Sequence, residues 1–186
     1  MTEKEKMLSG LWYDANFDEV LVKDRIIAQD LCMEFNTTKP SDEKSKKILD
    51  KLIPNMDKTA GITPPFQCDY GWNIEIGECS DINRNCYFMD GGKISIGKNV
   101  YMGPNCGLYT ANHPLDFKTR NKGLELAEPI SIGDSVWIGG NVVILPGVTI
   151  GSGSVIGAGS VVKDSIPENS LAVGNPAKVI RKIEQK

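Results

Sequence analysis

The sequence of 186 residues contains one histidine, His113, and no C-x-x-C pair among its five cysteines. A single histidine excludes a three-histidine zinc centre. An odd set of cysteines (Cys32, Cys68, Cys79, Cys86 and Cys106) suits reduced thiols better than a disulfide framework or a Cys-ligated zinc site. No apolar run approaches the ~18 residues of a membrane span, and the charged start MTEKEKMLSG lacks the apolar stretch of a signal peptide. Neither sign of charge dominates. The formal net charge is −3 and the Lys and Arg residues are scattered, which argues against a phosphate-neutralising surface for nucleic acid. These absences describe a cytoplasmic, soluble chain with no membrane or nucleic-acid partner, long enough for one domain of ordinary size.

What is present divides into two parts. Residues 1–56 are rich in Lys, Glu and Asp, and Val20, Leu21, Ile26, Ile27, Leu31 and Met33 recur at spacings that predict an amphipathic helix with these residues on its apolar face. Pro40, Ser41 and the acidic pair Asp42 and Glu43 announce a second helix carrying Ile48, Leu49, Leu52 and Ile53, which Pro54 ends. Together they predict a helical cap on the remaining domain, residues 57–186.

Beyond Pro64 and Pro65 a period of six appears. Ile132, Ile138, Ile144, Ile150, Ile156 and Val162 follow one another at six-residue intervals, with Gly133, Gly139, Gly151 and Gly157 next to four of them. Ile76, Ile82 and Phe88, then Ile96, Met102 and Leu108, repeat the spacing. A hexapeptide is too short to bury its own face; three of them make one flat-sided coil, and stacked coils share a core. The pattern predicts a mainly β protein, a parallel β-helix with coils over 76–93, 96–113, 132–149 and 150–167. The glycines suit either an unusual dihedral or a close backbone approach. Cys86 and Cys106 fall four residues after Ile82 and Met102, at the small-residue position of the hexad, and read as core thiols.

His113 closes the second of these coils, and an excursion, residues 114–131, then leaves the helix with Arg120, Asn121, Gly123 and Glu125 on it. A long loop without periodicity inside a compact repeat is more often functional than accidental. A lone histidine is by default a surface or hydrogen-bonded structural residue. Its position, where a rigid coil meets a loop, instead favours a general base.

The segments LWYDANFDE, MEFN, PPFQCDYGWNIEIG, YTANHPLD, RNKGLELAEPISIGDSVWIGGNVVILPGVTIG, VIGAGSVV and AVGNPAKVIRKI resemble the maltose and galactoside O-acetyltransferases, which are hexapeptide-repeat acyltransferases. The resemblance covers essentially the whole chain. It implies a left-handed β-helix, a homotrimer with active sites between subunits, and acetyl transfer from acetyl-CoA to a sugar hydroxyl without a metal. It gives His113, in T-A-x-H-P, the role of general base; an imidazole of ordinary pKa, ~6.5, is largely neutral at cytosolic pH. Asn83, Asp14 and Asp90 match the acceptor site, and Glu125 matches an acid that orients the histidine or contacts the acceptor. Trp137, Gly140 and Ala158 fall in the coils that form the pantetheine slot, and Lys178 and Arg181 match basic positions that meet coenzyme A phosphates.

Two departures stand out. VVKDSIP replaces a common V-V-T-K-D segment, so that Lys163 takes the place of a Thr-Lys pair. Asp69, in QCDYG, stands among the acceptor residues where relatives carry a smaller polar residue. The same fold would also serve an antibiotic, serine or nucleotide-sugar acceptor. A noncatalytic trimeric β-helix that only binds or scaffolds is the alternative of a different class.

Overall fold

The structure, a computed structural model, describes residues 1–186. Elements are numbered in chain order. The N-terminal part holds α1 (Glu3–Leu8), β1 (Tyr13–Asp14), α2 (Glu19–Thr37) and α3 (Glu43–Leu52). Each helix has a polar N-cap: Thr2 in a capping box with Glu5, Asp18 accepting from Leu21 N, and Asp42 accepting from Lys44 N. No helix is long and apolar enough to cross a membrane.

The first coil is β2 (Asn55–Met56), β3 (Gly61–Ile62) and β4 (Phe66–Cys68). The second is β5 (Ile74–Ile76), β6 (Asp81–Ile82) and β7 (Cys86–Met89); the third is β8 (Ile94–Ile96), β9 (Tyr101–Met102) and β10 (Gly107–Tyr109). The excursion follows, with β11 (Ala111–Asn112), α4 (Phe117–Arg120) and β12 (Leu124–Ala127). Coil four is β13 (Ile130–Ile132), β14 (Trp137–Ile138) and β15 (Val143–Ile144), and coil five is β16 (Thr149–Ile150), β17 (Val155–Ile156) and β18 (Val161–Val162). A partial sixth coil passes through Ile166 and ends in the hairpin of β19 (Ser170–Gly174) and β20 (Ala177–Lys182), which occupies most of the 168–186 tail.

Stacking the coils makes three parallel faces. The first is β2, β5, β8, β13 and β16; the second β3, β6, β9, β14, β17 and β19, with β20 antiparallel beyond it; the third β4, β7, β10, β15 and β18. The six-residue aliphatics pair with their equivalents one coil away, as Ile76 with Ile96 and Ile138 with Ile156, so that every one points inward. Val136, Val142, Val148, Ser154 and Ser160, at the small-residue position, are buried beside them, and Cys86 and Cys106 occupy the same buried position in coils two and three.

Two expectations change, and a third is narrowed to one of its alternatives. The β-helix begins one coil before residue 76, at Asn55, since Met56, Ile62 and Cys68 already keep the six-residue step within a polar-looking stretch. The inward stripe of α2 is Leu21, Ala28, Cys32 and Phe35; Val20, Ile26, Ile27 and Met33, assigned to that face, are exposed. Small Ala28 and Cys32 let the helix lie close on β4, which larger residues would prevent. The hexad glycines serve close approach: a Cβ at Gly139 would stand 2.5 Å from Ala158 N, while the left-handed corner dihedral is taken two residues later by Asn141.

Cys32, Phe35, Ile48, Leu49 and Leu52 join the same hydrophobic cluster as the coil aliphatics, so α2 and α3 close the open end of the first coil. Ile138→Ala, at a fully buried coil position, should lower unfolding free energy by about 2–5 kcal/mol, measured by urea denaturation; a loss below 1 kcal/mol would mean that the stacked coils can collapse onto the gap.

Candidate active site

The excursion folds back on itself. β12 pairs antiparallel with β11 on one side, Asn112 facing Leu126, and with β1 on the other, Tyr13 facing Glu125 and Asp14 facing Leu124. The part that projects freely is therefore confined to the tip around α4, where Leu115 is exposed and Asp116 caps the short helix.

His113 follows β11 at the corner leading out of the third face. Its Nδ1 lies 3.1 Å from the Leu124 carbonyl oxygen. A carbonyl only accepts, so Nδ1 carries the proton and donates it, and Nε2 of the neutral ring keeps a free lone pair. Nε2 stands 3.9 Å from Glu125 Oε2, with the imidazole half exposed and the carboxylate largely shielded. The other Glu125 oxygen, Oε1, accepts a hydrogen bond from the hydroxyl of Tyr13. Tyr13 was not singled out by the sequence: a tyrosine in a polar N-terminal segment carries no signal of a partner 112 residues away. Asp14, its neighbour, binds Asn16 N at 3.1 Å and Phe17 N at 2.9 Å through Oδ1, while Oδ2 has no donor from the chain.

Asp69 and Asp90 form a second group. Asp90 is fully buried and its carboxylate accepts three backbone N–H groups, from Asp69 at 3.0 Å and from Tyr70 and Gly71 at 2.8 Å. Asp90 is thus corrected from an acceptor contact to the residue that shapes the 69–71 turn: its oxygens are already occupied. Asp69, presented by that turn, accepts from the Tyr87 hydroxyl and lines an open cavity of about 500 Å³ with Gln67, Cys68 and Tyr87 against Cys32, Met33 and Asn36. Burial pushes the Asp69 carboxyl up, and burial, opposed by the Tyr70 amide, pushes Asp90 up to about 6.

Asn83 lies elsewhere, at the corner between the second and third faces. A backbone ladder runs along this corner: Asn105 N donates to Arg84 O, Asn141 N to Pro104 O and Gly159 N to Gly140 O. Asn83, Gly140 and Ala158 therefore share one edge of the β-helix, and His113 stands at the opposite edge of the third face. Within one chain they do not meet.

Trp137 is exposed on the second face beside Tyr101, and the register Trp137, Val155, Leu171, Arg181 carries the same outward row to the end of the molecule. Lys163 and Lys178 approach one carboxylate, Asp164, at 2.9 and 3.4 Å. The displaced lysine and the tail lysine are thereby brought together, which spacing alone did not indicate.

Residues 6–56 match a family model described as the maltose acetyltransferase hexapeptide capping motif, and residues 129–164 match one described as bacterial transferase hexapeptide, six repeats. A maltose O-acetyltransferase from Clostridium difficile 630 is 50% identical, superposes with a TM-score of 0.96, and is matched over 100% of this chain and 99% of its own. The chain belongs to the maltose and galactoside O-acetyltransferases. A galactoside acetyltransferase solved with coenzyme A is 39% identical over 99% of this chain and 92% of its own, with a TM-score of 0.94. A Vibrio cholerae O1 biovar eltor hexapeptide-repeat acetyltransferase solved with acetyl coenzyme A is 40% identical over the whole of both chains, at 0.89.

The chain is accordingly an acetyltransferase, with the family's capping motif formed by α1 to α3 and the start of the first coil. Its fold fixes a pH effect. The folded Asp90 carboxyl keeps its proton to about 6 against an ordinary 3.8, so between those values the folded state binds more protons than the unfolded one. Stability from this group then falls as the pH rises through that window. Comparing unfolding midpoints of the wild type and Asp90→Asn from pH 4 to 6 should show the steeper decline in the wild type; parallel curves would place the proton elsewhere.

Proposed function

We propose that the protein is an acetyl-CoA-dependent O-acetyltransferase acting on a sugar hydroxyl, with His113 as general base. The observation that carries the reading is the Nδ1–Leu124 hydrogen bond, which leaves the Nε2 lone pair free on a half-exposed ring. Nε2 takes the hydroxyl proton as the oxygen attacks the thioester carbonyl. The tetrahedral oxyanion is met by a backbone N–H at the coil corner. Collapse breaks the carbon–sulfur bond, the imidazolium returns its proton to the leaving thiolate, and the products are the acetyl ester and free coenzyme A. Asp14 with its free Oδ2, Asp69 and Asn83 are the polar groups for an acceptor rich in hydroxyls.

The donor is assigned to the edge that carries Gly140 and Ala158 and to the face of Trp137, with Lys163, Lys178 and Arg181 toward its phosphates; Arg donors suit phosphate oxygens and Lys acts as a point charge. The edge separation supports a site shared between copies: His113 of one chain completes Asn83, Gly140 and Ala158 of another, in the homotrimer the family resemblance implies.

His113→Ala should reduce turnover about 100- to 10,000-fold with an unchanged melting midpoint, assayed by loss of thioester absorbance with glucose, maltose, a galactoside, serine and chloramphenicol. Near-normal turnover would remove His113 as the base; activity with serine or chloramphenicol alone would reassign the acceptor. Coenzyme A at 100 times its Kd should add about 2.7 kcal/mol to stability, and Lys178→Ala with Arg181→Ala should diminish that shift. No shift in the wild type would remove this edge as the donor site.

A further inference from the structure

The helix α2 lies against β4 in a fixed register. Asn36 clasps the backbone of Phe66, its side-chain amide donating to Phe66 O and its Oδ1 accepting from Phe66 N, each at 2.8 Å. Four residues earlier in α2 and two residues later in β4, Cys32 Sγ lies 3.9 Å from Cys68 Sγ. The two steps match in length: four residues of helix advance about 6.0 Å and two of strand about 6.6 Å. Further along the same line, the Arg25 guanidinium donates to the Tyr70 hydroxyl at 2.7 Å. Polar contacts on both sides therefore hold the two sulfurs opposite each other.

This pair differs from the other buried thiols. Cys86 and Cys106 both donate to the Gly103 carbonyl, at 3.5 and 3.2 Å, and Cys106 also reaches Gly139 O at 3.2 Å. No carbonyl takes up the thiol of Cys32 or Cys68, and their side-chain hydrogen bond is with each other. Both are free thiols on the wall of the open cavity of about 500 Å³, beside Gln29, Met33 and Asp69. That cavity gives a small polar oxidant a route to sulfurs that are otherwise buried. The hydrogen bond from Cys68 lowers the Cys32 pKa, whereas the same bond, and then burial, push Cys68 up, so Cys32 is the readier nucleophile.

We propose that Cys32 and Cys68 form a reversible disulfide on exposure to a hydroperoxide, fastening the helical cap to the first coil. The Cys32 thiolate attacks one oxygen of hydrogen peroxide and the O–O bond breaks. The departing hydroxide takes up the thiol proton as water, leaving a sulfenic acid on Cys32. The Cys68 sulfur then attacks the Cys32 sulfur, the S–O bond breaks, and the hydroxyl leaves with the Cys68 proton as a second water. Two thiols are oxidised to one disulfide and one peroxide is reduced to two waters; a dithiol reductant reverses the bond by exchange. The link joins residues 36 apart in the chain, so it restricts the unfolded state over the whole join between cap and coil.

The test uses the full chain carrying Cys79→Ser, which removes the exposed thiol and leaves the four buried ones. The protein is treated with hydrogen peroxide, its free thiols are titrated after unfolding, and its unreduced tryptic peptides are weighed by mass spectrometry. Oxidation should halve the thiol count and join the peptide that carries Cys32 to the one that carries Cys68. It should also raise the melting midpoint by about 5–10 °C, and dithiothreitol should reverse all three changes. Cys32→Ala in the same background should show neither the link nor the rise. An unchanged thiol count, thiol loss without the link, or a link between Cys86 and Cys106 instead would overturn the proposal. So would a linked protein that melts no higher than the reduced one, or a rise that persists in Cys32→Ala.

Discussion

The pairing of each coil with the next is the constraint on which everything else depends. A two-residue strand has too few hydrogen bonds to stand alone, yet three such strands per turn, each bonded above and below at about 4.8 Å, form a continuous ladder. The spacing forces repetition on the sequence: an aliphatic every six residues to fill the axis, and a residue at the corner that lets one backbone lie on another. Gly139 and Gly151 meet this demand, since a Cβ at Gly151 would reach 2.3 Å from Glu168 N. Repetition leaves two ends, and both are covered, one by α2 and α3 and the other by the β19–β20 hairpin.

A ladder of this kind is rigid along its length, and it can carry chemistry only where something interrupts it. The interruption between coils three and four adds a small sheet, β1–β12–β11, on one edge. That sheet does what the β-helix cannot. It places a carbonyl, Leu124 O, where it fixes the histidine tautomer, and a carboxylate, Glu125, beside the basic nitrogen. It also ties the edge that carries His113 to the N-terminal helices through Tyr13, so that the capping segment reaches the His113 corner as well as closing the core.

The buried acids follow the same logic. Asp90 enters the core because three backbone amides of the 69–71 turn would otherwise go unsatisfied there. The cost of burying its charge appears as a raised pKa, and the gain is a defined loop that presents Asp69 to the cavity beside α2.

Much of this was legible in the chain. The hexads from Ile132 to Val162 fixed the fold class, because no other architecture repeats every six residues, and His113 was marked by its solitude and by the break that follows it. The first coil was hidden, since Met56, Ile62 and Cys68 sit among polar residues; so was the inward face of α2, because periodicity cannot say which of two apolar stripes meets the core. The Tyr13–Glu125 contact, the occupied carboxylate of Asp90 and the separation of Asn83 from His113 were decided by tertiary structure alone. They depend on which residues distant in sequence become neighbours when an excursion folds back and coils stack, and a one-dimensional period holds no information about either.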